Sequence, residues 1–218
     1  MIYRLFTFVA FIALVGCASG PVKLPVANLA ASEKTHVEDL RPATEGTRDT
    51  FSLLITSDRY GYTRLAQDIT DPSGPRLFSH LLQEKYDTVA VPPTKLHHFI
   101  VYANNRSVMK RGALGAVFGP IGALVAVDTV AQEGGAINAV VDPARFAAES
   151  GEDEYKRAIY ADPQIPEDTS TFVIYIESES QQKRHFTRTI WPIKPSKEGE
   201  KIPLYQAMEA AIQFNLRQ

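Results

Sequence analysis

The pattern of apolar and polar positions predicts several short β-strands in the first half of the chain. Residues 51–56 (Phe-Ser-Leu-Leu-Ile-Thr) are rich in strand-forming residues and predict a buried strand. Shorter strands are predicted at residues 37–40, which end at the Arg41-Pro42 pair, and at residues 63–66.

Residues 96–103 predict a longer strand with two different faces. Because successive side chains of a strand point to opposite sides, His98, Ile100 and Tyr102 would share one face. Phe99 and Val101 would share the other face.

The clearest strand pair lies at residues 171–178 and 184–191. The polar residues 179–183 (Glu-Ser-Gln-Gln-Lys) join the two segments and predict a hairpin whose loop is longer than the tight two-residue type. Pro192 and Pro195 would end the second strand.

Two segments carry the periodicity of amphipathic helices. Ser73 and Pro75 are typical of a helix start, and the apolar face that follows contains Leu77, Phe78, Leu81, Leu82 and Tyr86. Residues 203–216 predict a second helix, whose apolar stripe contains Leu204, Met208, Ala211 and Ile212. Strands, an antiparallel hairpin and helices in this order predict an α+β fold, in which an antiparallel sheet packs against two or more helices.

Residues 133–169 are polar and rich in residues that break regular structure. They predict an exposed connection with one short helix at residues 143–149. The acidic residues 149–154 are expected to form a solvated loop. A cation-binding loop is the alternative, but the spacing lacks the alternating oxygen ligands and the central glycine of an EF-hand.

Residues 112–127 form an uncharged apolar segment that is sorted by side-chain size. At 100° per residue of a helix, small residues would form one stripe and large apolar residues the opposite face. The small residues that define this stripe are Gly112, Gly115, Gly119, Gly122, Ala123 and Ala126. Such a stripe allows two backbones to approach closely, and the segment resembles the glycine zippers of some bacterial envelope proteins.

Three locations remain open for residues 112–127: a helix in the protein's own core, a segment that contacts the membrane or another copy, or a glycine-rich loop. A helix of this length would span about 24 Å, which is shorter than the hydrocarbon layer of about 30 Å. Pro120 would also kink it.

The N-terminal residues have the pattern of a secretion signal. Arg4 is followed by an apolar stretch that is too short to span a bilayer, and the stretch ends in Leu14-Val15-Gly16-Cys17. These residues resemble the lipobox of bacterial lipoproteins, in which the cysteine is lipidated and becomes the first residue of the mature protein. Cys17 is the single cysteine of the chain, so no disulfide competes with this modification. The alternatives are an ordinary signal peptide that is cleaved near Ala18, or a small buried cysteine.

The resemblance implies a location and an order of segments. Ala18 stands where lipoproteins retained in the inner membrane typically carry aspartate, so the resemblance implies the periplasmic face of the outer membrane. Residues 1–16 would be the signal peptide, and residues 17–34, which contain Pro and Gly without strand or helix periodicity, would be a lipidated tether. Residues 35–218 would form the periplasmic domain.

Neither the charge nor the motifs point to an enzyme or a nucleic-acid-binding protein. The formal net charge is −2, which gives no electrostatic footprint for nucleic acid. The hydrolase, metalloprotease and phosphate-loop motifs are absent. No cofactor is predicted.

Isolated polar residues give only weak candidates for a site. His97 and His98 would point to opposite faces of a strand and could not share one metal ion, and His36 lacks a second group of ligands. The Asp58-Arg59-Tyr60 turn could contact a ligand, although a structural turn is the favoured interpretation. Several aromatic residues are expected to be core rather than a sugar platform: Tyr60, Tyr62, Tyr175, Trp191 and Tyr205.

These observations predict an outer-membrane lipoprotein with a structural, assembly or accessory binding role in the cell envelope. The membrane would be its first partner, through the lipid on Cys17, and envelope proteins or a second copy would be others. A periplasmic protein that binds peptidoglycan or another ligand is the alternative, followed by a periplasmic hydrolase.

Overall fold

A computed structural model describes ten stretches of the chain. They are residues 21–27, 29, 37–46, 53–54, 62–65, 70–86, 90–104, 135–150, 171–193 and 202–218. The strands within them are β1 (Val22–Lys23), β2 (Val37–Asp39), β3 (Leu53–Leu54), β4 (Tyr62–Leu65), β5 (Thr70–Asp71), β6 (Thr94–Asn104), β7 (Ile137–Val140), β8 (Thr171–Ser180) and β9 (Lys183–Pro192). The helices are α1 (Ala43–Gly46), α2 (Gly74–Lys85), α3 (Pro143–Ser150) and α4 (Pro203–Asn215).

Seven of the described strands form one sheet with β6 and β8 near its centre. The order along the sheet is β3-β4-β6-β8-β9-β7. Strand β2 pairs in parallel with the start of β6, and every other pairing in this sheet is antiparallel. The predicted α+β fold is therefore confirmed, with β2 as a parallel exception, and the predicted hairpin β8–β9 lies in the sheet interior.

Helices α2 and α4 cover one side of the sheet, which we call the first face. Phe99 and Val101 of β6 point to this side and join a core that includes Phe78 of α2 and Met208 of α4. The apolar stripe predicted for α4 is buried throughout, since Met208 is 2% exposed and Ile212 is 0% exposed. Burial of these apolar faces provides the main driving force for packing the helices on the sheet.

Helix α3 covers the opposite side of the sheet, which we call the second face. Ile100 and Tyr102 of β6 point to this side and pack in one cluster with Phe146 of α3 and Tyr175 of β8. The two faces predicted for residues 96–103 are thus confirmed.

The turn between β8 and β9 is shorter than the sequence predicts. Ser180 pairs with Lys183, so only Gln181 and Gln182 form the loop. Both have positive φ angles, 52° and 65°, as a tight turn that matches the strand twist requires. The expectation of a longer loop is wrong because glutamine at these positions does not carry the Asn-Gly signature of such turns.

The segment predicted to be an exposed connection contains two elements of the domain. Residues 137–140 form the edge strand β7, which pairs with β9. The predicted short helix is confirmed as α3, but its Glu149 is only 6% exposed and does not belong to a solvated acidic loop. The expectation of a solvated position is wrong for this residue, because Tyr175 and Arg188 of the sheet bind its carboxylate.

Part of the segment predicted as a tether packs against the domain. Strand β1 pairs in parallel with β5, and the backbone N–H of Leu24 donates to the carbonyl oxygen of Asp71 at 2.7 Å. Leu24 is 6% exposed and belongs to the core on the first face. The chain is therefore held against the domain at Leu24.

Within the described part of the chain, each helix is too short or too polar to cross a bilayer.

Candidate functional site

A pocket of about 410 Å³ opens at the end of the sheet where β8 turns into β9. It lies on the first face, between the C-terminal ends of α2 and α4, and its volume is typical of sites for small molecules. We call it the basic pocket, because four basic residues line it: Lys85, Lys183, His185 and Arg217.

Asn215 fixes the end of α4 at one wall of the pocket. Asn215 is 2% exposed, and its side chain bonds to residues of both strands of the hairpin. The hydroxyl of Ser178 donates to Asn215 Oδ1 at 2.6 Å, and Asn215 Nδ2 donates to Thr187 Oγ1 at 2.9 Å. Because buried polar groups tolerate few alternative partners, these bonds set the position of the helix end relative to the sheet.

Two lysines meet the exposed carbonyl groups at the end of α4. Lys85, the last residue of α2, donates to the carbonyl oxygen of Leu216. Lys183 Nζ lies 3.4 Å from the backbone oxygen of Gln218. Cations are favourable at the C-terminus of a helix, where the aligned peptide dipoles amount to about half a negative charge.

The positive charges exceed what the helix end can balance. Lys85, Lys183 and Arg217 together carry three formal positive charges, whereas the helix end offers about half a negative charge and the terminal carboxylate of Gln218 offers one more. Among the described residues that line the pocket, none has an acidic side chain. The pocket is therefore electropositive.

The surroundings of His185 show the same electrostatics. Burial lowers the pKa of His185, and the positive charges of Lys183 and Lys85 lower it further. An additional cation is thus disfavoured inside the basic pocket.

Strand alternation separates the acidic side chains of the hairpin from this pocket. In the run Glu177-Ser178-Glu179-Ser180, the two serines line the basic pocket. The two glutamates point to the second face, because successive residues of a strand lie on opposite sides.

Glu177 and Glu179 are neutralised on the second face. Arg184 Nη1 donates to Glu177 Oε1 at 2.7 Å, and His97 Nε2 lies 3.1 Å from Glu179 Oε2. The hydrogen bond from His97, together with Lys95, holds the pKa of Glu179 below its usual range, although its desolvation acts in the opposite direction.

A bulge in β6 brings His97 and His98 to the same side of the sheet. The register of β6 against β8 shifts between Leu96 and His98. His98 Nε2 lies 3.8 Å from Glu177 Oε2, while His97 approaches Glu179 two residues further along β8. The prediction that the two rings point to opposite faces is wrong, because the extra residue of a bulge interrupts the alternation.

The two imidazole rings nevertheless do not converge on one point. His98 Nδ1 lies 2.6 Å from Glu45 Oε1, and His97 binds Glu179 instead. Within the described ranges, no three His, Cys, Asp or Glu side chains are arranged to hold a metal ion. Each histidine instead hydrogen-bonds to a different carboxylate.

A second buried cluster lies on the second face beneath α3. The carboxylate of Glu149 accepts hydrogen bonds from Tyr175 Oη at 3.1 Å, from Arg188 Nη1 at 3.4 Å and from Arg145 Nε. Burial raises the pKa of the Tyr175 hydroxyl, and the negative charge of Glu149 raises it further. The cluster attaches α3 to the sheet.

Most of the residues that the sequence singles out as candidates are not among the described residues. The residues outside the described stretches are Cys17, His36, Asp58, Arg59, Tyr60, Gly112, Gly115, Gly119, Gly122, Ala123 and Ala126. Tyr175 and Tyr205 are buried, which confirms that they are core residues, and Trp191 packs partly buried against the core.

Sequence reasoning missed the residues of the basic pocket. Lys85 lies at the end of a helix and Lys183 beside a turn, and both positions are typical of ordinary solvated lysines. The two come together only because α2 and the hairpin end at the same edge of the domain. The one sequence pattern that points to the pocket is the Glu-Ser-Glu-Ser alternation of β8. It places the glutamates on one face of the strand and the serines on the other.

The chain matches no family model, and no curated protein or solved structure shows significant similarity to it.

Proposed function

We propose that this protein is a lipid-anchored protein of the cell envelope, held at the periplasmic face of the outer membrane, with an accessory binding role. The lipobox-like residues that end in Cys17 support the anchor and the location. The observation that carries the binding role is the basic pocket, which has the volume of a small-molecule site and walls fixed by the buried Asn215.

The packing of Leu24 adds a geometric consequence to the anchor. A chain can extend by at most about 3.6 Å per residue, so the seven steps along the chain from Cys17 to Leu24 reach at most about 25 Å. Because Leu24 belongs to the core, the domain would stay within about that distance of the membrane surface. A protein held so close to the membrane is suited to ligands or partners at the membrane surface.

Site-specific photocrosslinking in living cells tests the binding role. A photoreactive amino acid at position 181, which lines the pocket, should give a defined adduct with a ligand or partner. The same amino acid at position 76, which is exposed near the start of α2, is the matched control and should give none.

A pocket-filling variant makes this test sharper. Ser180→Trp places a large ring at the pocket wall and should abolish the adduct formed from position 181. A membrane-bound protein that gives no adduct from position 181, or an adduct that persists in Ser180→Trp, contradicts a binding role for this pocket.

A further inference from the structure

We propose that the basic pocket binds an oxyanion, meaning a phosphate or carboxylate group on a polar ligand or on a lipid headgroup. This inference rests on the proposed function, since it names the class of ligand for the same pocket.

The arrangement of charge around the hairpin carries this inference. Lys183 and His185 lie on the first face and line the pocket, while Arg184 between them points to the second face and binds Glu177. Glu177 and Glu179 also lie on the second face. The alternation of both strands thus concentrates positive charge in the pocket and places the carboxylates on the opposite side of the sheet.

The N–H donors of the lysines also favour an oxyanion as the ligand. An ammonium group has three N–H donors, and the contacts of Lys85 and Lys183 with the end of α4 use one carbonyl oxygen each. Hydrogen bonds between ammonium groups and oxyanions are about twice as strong as those between neutral groups. Two lysines and Arg217 at one pocket can therefore offer several N–H donors to an oxyanion.

The electrostatics also disfavour a cationic ligand. The charges of Lys183 and Lys85 disfavour protonation of His185, and a bound cation would meet the same repulsion. An anion would be attracted, and it would relieve the mutual repulsion of the basic residues.

The direct test is a titration of the isotope-labelled full chain, purified in detergent, that is followed by NMR. Inorganic phosphate or acetate should cause saturable shifts of the amide signals of residues 181–185, whereas sodium chloride at equal ionic strength should not. The double variant Lys85→Gln/Lys183→Gln should weaken the affinity for phosphate at least tenfold. Arg76→Gln removes a charge from the same helix outside the pocket and should leave the affinity unchanged.

Further measurements distinguish a lipid headgroup from a soluble ligand and control for effects on folding. Binding of short-chain phosphatidylglycerol but not of phosphatidylcholine would identify a lipid headgroup, and binding of the free ions alone would identify a soluble ligand. Because Lys85 also contacts the end of α4, Arg217→Gln serves as a second variant at an exposed residue and should weaken binding at least threefold.

The inference is overturned if the shifts match those of chloride, or if both sets of variants bind phosphate as the wild type does. A crosslinked adduct from position 181 without oxyanion binding would leave the binding role intact and refute only the ligand class. Oxyanion binding without an adduct in cells would support the ligand class and contradict the binding role in cells.

Discussion

The carboxylate of Glu45 joins α1 to the bulge of β6 through His98. Glu45 Oε1 lies 2.6 Å from His98 Nδ1, and Glu45 Oε2 accepts a hydrogen bond from the backbone N–H of Phe99 at 3.1 Å. Glu45 is 4% exposed, so this pair is shielded from solvent on the carboxylate side. The hydrogen bond with Glu45 raises the pKa of His98; burial opposes this, and the charges of Glu45 and Glu177 add to it.

This pair predicts a dependence of stability on pH. A histidine whose pKa is higher in the folded than in the unfolded state stabilises the fold fully below its unfolded pKa of about 6.5. The stabilisation is lost as the pH rises through the folded value. Glu45→Gln should lower the pKa of His98 and reduce the free energy of unfolding at about pH 6 by about 1 kcal/mol, with a smaller loss at about pH 9.

Urea unfolding at the two pH values and an NMR titration of the His98 ring check this prediction. Glu38→Gln, at an exposed residue of β2, is the control and should change neither quantity. An unchanged His98 pKa in Glu45→Gln would refute the pairing.

Loss of the buried Glu149 should destabilise the fold more than loss of Arg145, its exposed partner. Glu149→Ala removes the carboxylate that Arg188 binds, and Arg188 is 2% exposed, so the free energy of unfolding should fall by about 3 kcal/mol. Arg145 binds the same carboxylate, but its side chain is 48% exposed, and Arg145→Ala should cost less than about 1 kcal/mol. Chemical denaturation of both variants measures the difference, and equal losses would show that Glu149 is not a structural centre of this face.

A charge introduced on the buried side of α4 should destabilise the fold more than the same charge on its exposed side. Met208→Asp or Ile212→Asp buries a carboxylate in the apolar core and should reduce the free energy of unfolding by more than about 3 kcal/mol. Gln213→Asp adds the same charge on the exposed side of the helix and should cost about 0.5 kcal/mol. Thermal melts of the three variants decide the point, and similar melting temperatures would place α4 at the periphery.

Local patterns predicted much of this fold because burial acts on one strand or helix at a time. The two faces of β6 and the apolar stripe of α4 follow from periodicity alone. Edge strand β7 was missed because it has only four residues, Ile-Asn-Ala-Val, which is too short for apolar alternation to stand out. The tight turn was missed because Gln181 and Gln182 adopt positive φ angles without the usual residues.

The candidate site was less predictable because it depends on contacts between distant segments. Lys85 and Lys183 meet only at the edge where α2 and the hairpin end, and neither carries a local signature. The bulge at His97 depends on the pairing of β6 with β8, which the sequence of β6 alone does not encode. Burial of Glu149 likewise requires Arg188 from another strand.

The lipid anchor on Cys17 is the central claim, and intact-mass analysis of the chain extracted from its native membranes tests it most directly. We expect a mature chain that begins at Cys17 and carries the added mass of its acyl chains, and a Cys17→Ser variant that is released from membranes or remains an unprocessed precursor. A membrane-extracted wild-type chain with a free Cys17 thiol and no acyl mass would refute the lipid anchor.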